Sequence, residues 1–504
     1  MLYATNPSQQ SVITSKIKYY MNISKYRKLT LIVPFTLMLG LGACEKDFEE
    51  LNTNPNVAEV PTPSFILTNA LESTIDRQFG VEASMDGGDI IVQHMAKIQY
   101  PDEDAYFFRT TTYQNIWNGF YAQGLEDFNL ITKLGVEQKN PNYQAVGLIM
   151  RAYTFSLLTD IYGDIPYSDA LRAKEGVLQP KYDKQQDVYK GILGELKQAT
   201  TLIDPSGSDI SGDILFDGDM THWLKFANSL RLRLAMRIID ADPATAEPII
   251  KEVLASPATL FQSNADNAQL VYRSAAPNNN PINENRKTRD DHRVSKTLVT
   301  KLTALKDPRL AIYAEKPEAG GDYVGVPNGI DAETANGLGL SKTSRLGRYF
   351  TRGEAPGVLM TYAEVLFFKA EAIARNRGLA TGDAAATYNA AIRASMEQFG
   401  IEPAAITTYL AQPAVAYNAA NYKQSIGNQK WIALFQQGLE AWSEYRRLDY
   451  PNDLKPGPEA ALTKLPTRLR YPGNEQSVNL ANYQAAVANQ GADNLTTKLW
   501  WDKF

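Results

Sequence analysis

Four separate stretches of this chain place apolar or small residues at every third or fourth position. A chain patterned in that way buries helices side by side rather than building a sheet. In residues 113–134 the stripe is Tyr113, Ile116, Trp117, Phe120, Tyr121, Gly124, Phe128 and Ile131. Asn140-Pro141 then supplies a cap and a first-turn proline for a second helix with the face Leu148, Ala152, Phe155, Leu158 and Tyr162. That helix is predicted to stop at Gly163, with Pro166 just beyond. Two helices joined by so short a loop form an antiparallel pair.

The arrangement recurs with Val188, Ile192, Leu196, Ala199 and Ile203 against Trp223, Phe226, Ala227, Leu230 and Leu234. It appears again in Leu359, Tyr362, Ala363, Leu366, Ala370 and Ile373 followed by a helix over 384–399, and last in Trp431, Leu434, Phe435, Gly438, Leu439, Trp442 and Tyr445. Small residues such as Ala363, Ala370 and Gly438 among large aromatics allow backbones to approach closely. The pairs resemble degenerate tetratricopeptide units without a strict 34-residue period. The expected fold is therefore mainly α: tetratricopeptide-like pairs at about 113–162, 185–240, 357–399 and 425–448, forming an α-α superhelical body. Between the second and third pairs, about 261–355, the periodicity gives way to asparagines and glycines, which predicts a loop-rich insert. A second loop-rich stretch covers 451–479. Trp117, Trp223, Trp431 and Trp442 fall on apolar helix faces and are read as core; Arg231, Arg233 and Arg237 alternate with leucines and are expected to snorkel or to pair with acidic neighbours. Trp500, Trp501 and Phe504 either dock on the body or meet a partner.

Cys44 is the only cysteine, too few for an internal disulfide or a structural zinc site. Lys25, Arg27 and Lys28 precede an apolar run from Leu29 to Leu41, and small residues lead into the cysteine, the three parts of an export signal. The run is shorter than the ~20 residues needed to span a bilayer. Leu41-Gly42-Ala43-Cys44 resembles the lipobox of bacterial lipoproteins, which implies cleavage before Cys44 and acylation of that residue. Residues 1–43 are read as a signal peptide whose true start is Met21, 44–60 as a lipidated tether and 61–504 as one domain. Glu45, Asp47, Glu49 and Glu50 form either a solvated tether or a patch resembling the acidic surface-export signal of Bacteroidetes lipoproteins.

The formal net charge of −5 gives no electrostatic reason to expect nucleic acid. His94, His222 and His292 are far apart in sequence, no HExxH, GxSxG or Walker pattern occurs, and no loop has EF-hand spacing. Neither catalytic residue, metal nor cofactor is assigned.

Several helix segments carry a more specific likeness. They are Arg151-Ala152-Tyr153 through Asp160-Ile161-Tyr162-Gly163-Asp164-Ile165-Pro166-Tyr167; Trp223 through Leu234; Met360 through Ala372; and Gln429 through Leu434 running on to Glu440-Ala441-Trp442-Ser443-Glu444-Tyr445-Arg446-Arg447. With the lipobox they resemble the SusD/RagB-like surface lipoproteins, more closely a SusD-like branch with insert motifs like Tyr323-Val324-Gly325-Val326-Pro327-Asn328-Gly329. The resemblance implies a non-catalytic helical lid on a SusC-like TonB-dependent outer-membrane transporter. Such a protein captures a nutrient, usually an oligosaccharide and in some members a peptide. Alternative readings are a lipid-anchored scaffold for protein contacts and a surface glycoside hydrolase.

Sugar rings stack their C–H faces on aromatic side chains, and their hydroxyls need directed polar partners. The loop Tyr100-Pro101-Asp102-Glu103-Asp104-Ala105-Tyr106-Phe107-Phe108-Arg109 offers both, where the resemblance places an aromatic platform. Tyr100 and Tyr106 are its candidates, with packing against the following helix as the alternative. In the insert, Asn283, Asn285, Arg289 and Asp290 offer donors and acceptors, and Arg289 can form bidentate bonds. The alternative there is a solvated loop whose charges pair with one another.

Overall fold

The computed structural model describes residues 61–504. Cys44, the signal peptide and the tether lie outside the described residues. The longer helices are α1 (Pro63–Phe79), α2 (Thr110–Gly119), α3 (Glu126–Glu137), α4 (Pro141–Tyr162), α5 (Gln185–Leu202), α6 (Met220–Ile238), α7 (Pro243–Ala255), α8 (Pro281–Arg286), α9 (Lys296–Ala304), α10 (Tyr362–Ala374), α11 (Ala384–Glu397), α12 (Pro403–Leu410), α13 (Tyr422–Ala433), α14 (Gly438–Leu448) and α15 (Leu480–Gln490). A π-helical turn, Phe120–Leu125, joins α2 to α3.

Consecutive helices pack on one another through α3–α4–α5–α6–α7, and α10–α11 and α13–α14 form further pairs. The fold is therefore mainly α with tetratricopeptide-like pairs. Local chemistry sets the boundaries. Asn140 accepts from the backbone N–H groups of Asn142 and Tyr143 (3.1 and 3.3 Å), Pro141 opens α4, and Gly163 ends it at φ 90°, a conformation that resists a side chain. Asp219 caps α6 in the same way, accepting from Thr221 and His222.

Trp117, Trp223, Trp431 and Trp442 are all buried. Trp501 is buried too and donates from its indole to Asp160 (2.9 Å), so this part of the terminus docks on the body. Phe504 is exposed.

The three arginines of α6 pair with acids. Arg231 reaches Glu252 (3.0 Å), Arg233 makes a two-point contact with Glu364 (2.6 and 2.7 Å), and Arg237 binds Glu440 (2.6 Å) and Glu444 (2.8 Å). Glu444 also takes Lys430 (2.9 Å) and Arg447 (2.7 Å), and Arg447 continues to Glu371 (2.6 Å). Except for Arg231–Glu252 this chain of charges is buried, and it joins α6, α10, α13 and α14 across the helical body.

Residues 261–355, expected as loop, contain α8, α9, five further helical segments of three to seven residues and two strands. Their helices are too short to show an apolar stripe in sequence. Two antiparallel two-stranded ribbons cross the insert: β1 (Met95–Lys97) with β3 (His292–Val294), and β2 (Ala268–Val271) with β4 (Pro356–Met360). The third helix pair, expected from 357, accordingly begins as strand β4 and turns helical only at Tyr362, where the Thr361 hydroxyl caps Glu364 N–H (3.2 Å).

Candidate carbohydrate-binding site

The ribbon β1–β3 decides where the site forms. Its register pairs Met95 with Val294, Ala96 with Arg293 and Lys97 with His292, and Ile98 N–H extends it by donating to Asp291 O (2.8 Å). The chain leaving β1 therefore runs beside the chain entering β3, and two segments almost two hundred residues apart in sequence face each other.

At the end of the ribbon Tyr100 is held in the left-handed region (φ 53°) and its ring stands 58% exposed. The Arg289 guanidinium lies over that ring, 5.3 Å from its centroid. Both line an open cleft of about 310 Å³ with Asn285 and Arg109. Beneath them the polar floor is internally compensated. Lys97 Nζ sits between Asp86 (3.2 Å) and Glu103 (2.8 Å), Glu103 also meets Arg109 Nε (3.4 Å), His292 Nε2 meets Asp86 (2.7 Å), and Arg289 reaches Asp291 (3.4 Å). Burial acts to raise the Asp86 carboxyl, but its bond to His292 and the charges of His292 and Lys97 outweigh that and hold it below the usual range. Burial likewise acts to lower Lys97, and the two flanking carboxylates more than reverse it. Asp86, Glu103 and Asp291 thus each meet a basic partner within the cleft itself.

The other candidates have different surroundings. Tyr106 is only 3% exposed and its ring packs in the core beside Phe108, so it is not placed to stack on a ligand. Asn283 is occupied within the protein, accepting from Asn279 (2.7 Å) and donating to Thr351 O (2.8 Å). Asp290 is drawn to Arg293 (3.1 Å) and Arg345 (2.9 Å), which leaves it serving the loop rather than the cleft. Asp104, in the aromatic loop, is fully buried and accepts from Asn328 Nδ2 (2.7 Å) and Lys97 N–H (3.1 Å); burial pushes its carboxyl up to about 7. Lys97, Asp86, Glu103 and His292 were not anticipated as site residues. The ribbon register, a long-range pairing, is what sets His292 beside Lys97.

Among the described residues no group of three or more His, Cys, Asp and Glu side chains is placed to hold a metal ion, and no helix is long and apolar enough to cross a membrane. An exposed aromatic ring paired with a guanidinium, over a polar floor of ion pairs on a helical-repeat body, offers a flat apolar face beside hydrogen-bond donors.

Residues 55–472 match the SusD-like_2 family, described as starch-binding and associating with the outer membrane, and the chain belongs to that family. Its members are nutrient-binding proteins of the outer membrane that bind carbohydrate and perform no catalysis. Among solved structures, the fold is similar to a chitin-binding SusD homolog from Flavobacterium johnsoniae (27% identity, TM-score 0.77, 88% of this chain and 97% of that one). It is similar also to a chitin-binding protein (29%, 0.77, 88% and 100%) and to a SusD homolog from Bacteroides uniformis (25%, 0.78, 88% and 99%). No curated protein gave a significant match.

Proposed function

We propose that this protein captures an oligosaccharide on the cell exterior and passes it to a SusC-like TonB-dependent transporter, while acyl chains on Cys44 hold it to the outer membrane. The observation that carries the glycan reading is the Tyr100–Arg289 pair over a floor of ion pairs. A sugar ring can stack on the exposed tyrosine face, and its hydroxyls can reach Arg289, Arg109 and Asn285 at the rim. The two chitin-binding neighbours favour a neutral β-linked glycan as the first ligand to try.

Cys44 follows a charged and apolar leader, and a terminal diacylglycerol with a further acyl chain would anchor the body durably, since each buried CH₂ contributes about 0.8 kcal/mol. Co-purification from detergent-extracted outer membrane tests the partner: a large β-barrel should be recovered with the protein, and its absence would remove the transporter from the proposal. Cys44→Ser should release the chain into the soluble fraction, and protease added to intact cells should digest the wild-type protein.

A further inference from the structure

The insert meets the β1–β3 ribbon a second time without lining the cleft. Segment 323–329 contributes no side chain to the Tyr100 cavity, yet its middle is hydrogen-bonded alongside the end of β3: Val326 N–H donates to Val294 O (3.0 Å) and Lys296 N–H donates to Val326 O (2.8 Å). Gly325 permits the approach, since a Cβ there would stand 2.6 Å from the Ser295 carbonyl oxygen and from the Lys296 backbone nitrogen. Val326 also shares a small buried apolar cluster with Ala96, Ile98 and Ile330, which holds the chain just ahead of Tyr100.

Asn328 closes this arrangement. It is buried, its Nδ2 donates to Met95 O (2.8 Å) and to Asp104 Oδ1 (2.7 Å), and its Oδ1 accepts from the hydroxyl of Ser295 (2.5 Å), the N-cap of α9. The other oxygen of Asp104 accepts from Lys97 N–H (3.1 Å). Met95 and Lys97 lie on the strand that leads into the aromatic loop, and Asp104 lies where the loop returns, so one amide and one carboxylate clasp both ends of the turn that carries Tyr100. A strap on the far side secures the same parts: Glu459 N–H donates to Gly329 O and Ala461 N–H to Ala105 O, both at 2.9 Å.

A tyrosine on a freely moving loop would have to give up that freedom each time a sugar stacked on it, and affinity falls in proportion to the fraction of molecules already in the competent arrangement. An apolar side chain of similar size could fill the space of Asn328. It could not hold β1, the aromatic loop and the start of α9 in one fixed relation, because packing is not directional and hydrogen bonds are. We infer that Asn328 is a positioning residue of the binding cleft: it touches no ligand, and it sets the direction of the Tyr100 ring by clasping the two ends of its loop. The inference rests on the reading of the cleft as the glycan site and adds to it a part of the insert that lies outside the cleft.

The test uses the mature chain and two readouts: hydrogen–deuterium exchange without ligand, and isothermal titration with oligomers of glucose and of N-acetylglucosamine as probes. In Asn328→Ala, peptides covering 98–109, whose Ile98, Ala105 and Phe107 N–H groups are hydrogen-bonded in the fold, should exchange at least about tenfold faster while α4 and α6 keep wild-type protection. Affinity should fall by about tenfold, as it does when the competent fraction drops to a tenth. Asn328→Asp sets a second carboxylate against Asp104 and should behave alike, and it stands in if Asn328→Ala does not fold. Adding Asp104→Asn to it restores that hydrogen bond with donor and acceptor exchanged, and should recover part of both losses. Arg237→Met, which lowers stability outside the cleft, should leave the loop's exchange and the affinity at the wild-type level. Exchange in Asn328→Ala that rises throughout the chain, or nowhere, would overturn the inference and leave Asn328 an ordinary core amide. Wild-type affinity in Asn328→Ala beside lost affinity in Tyr100→Ala would overturn it too, with the glycan reading intact. Failure of the wild type to bind any of the oligomers would strike the glycan reading instead, and the exchange measurement, which needs no ligand, would still decide whether Asn328 holds the Tyr100 loop.

Discussion

The Arg289 guanidinium lies 5.3 Å from the centroid of the Tyr100 ring, although 189 residues separate the two in sequence, and both side chains face solvent. A cation–π contact this exposed is worth only about 0.5–1 kcal/mol, small enough for a ligand ring to compete with it for the tyrosine face. Tyr100→Ala and Arg289→Ala should each weaken oligosaccharide binding by roughly tenfold or more in isothermal titration, as loss of a central aromatic or arginine contact does. Tyr106→Phe, altering a ring inside the core, should leave affinity within about twofold, since it removes nothing from the cleft.

Arg237 is fully buried and carries the charges of Glu440, Glu444 and Asp160 at 2.6–3.4 Å. Arg237→Met keeps most of the volume and removes the cation, so three carboxylates lose a partner in a region closed to water. Removing one member of a buried ion pair typically costs 3–5 kcal/mol. The urea midpoint of Arg237→Met should fall accordingly, whereas Arg172→Met, in an exposed pair with Glu175, should leave it nearly unchanged.

The sequence patterns that could be read were local ones. A long helix writes its own stripe, and Asn140-Pro141 and Gly163 mark the ends of α4 without reference to anything distant. Helix α1 also has a stripe, Leu67, Ala70, Leu71, Thr74 and Ile75, but its small and polar members blur it in sequence. Strands β1 and β3 have three residues each, too few to show alternation. Their pairing is nevertheless what joins Tyr100 to Arg289, so both segments could be singled out while their meeting could not. Tyr106 illustrates the converse limit. An aromatic in a polar loop looks the same in sequence whether its ring ends up outside, as at Tyr100, or packed in the core.

Gly438 opens α14 against the π-helical segment Val81–Gly88 and the residue after it. A Cβ built on Gly438 would collide with the Asp89 backbone nitrogen, and one built on Gly88 would collide with the Gly438 carbonyl group. Both obstacles are main chain, so neither can swing aside. Gly438→Ala and Gly88→Ala should each destabilise the protein by about 1–3 kcal/mol, the usual cost of overpacking a closed interface, seen as a lower midpoint in chemical denaturation. Gly194→Ala, in α5 with open space around its Cβ, should instead stabilise slightly, because alanine is the better helix former.

Asp104 makes stability depend on pH in a direction opposite to most carboxylates. Its folded carboxyl titrates near 7 because burial disfavours the charge, against an ordinary value of 3.8, and the hydrogen bonds from Asn328 and Lys97 N–H offset that only in part. The native state therefore binds this proton more tightly than the unfolded chain. Stability from this group is fully present below pH 3.8 and is lost as pH rises through about 7, by as much as roughly 4 kcal/mol for a shift of this size. Asp86, held low by His292 and Lys97, works the other way, its contribution lost as pH falls, so the whole-protein profile mixes the two. Comparison with Asp104→Asn isolates one term. The variant cannot ionise, and its melting temperature relative to wild type should climb between pH 4 and about pH 7 and level off above that. A difference that stays flat across that interval would mean that Asp104 titrates as an ordinary solvated carboxylate.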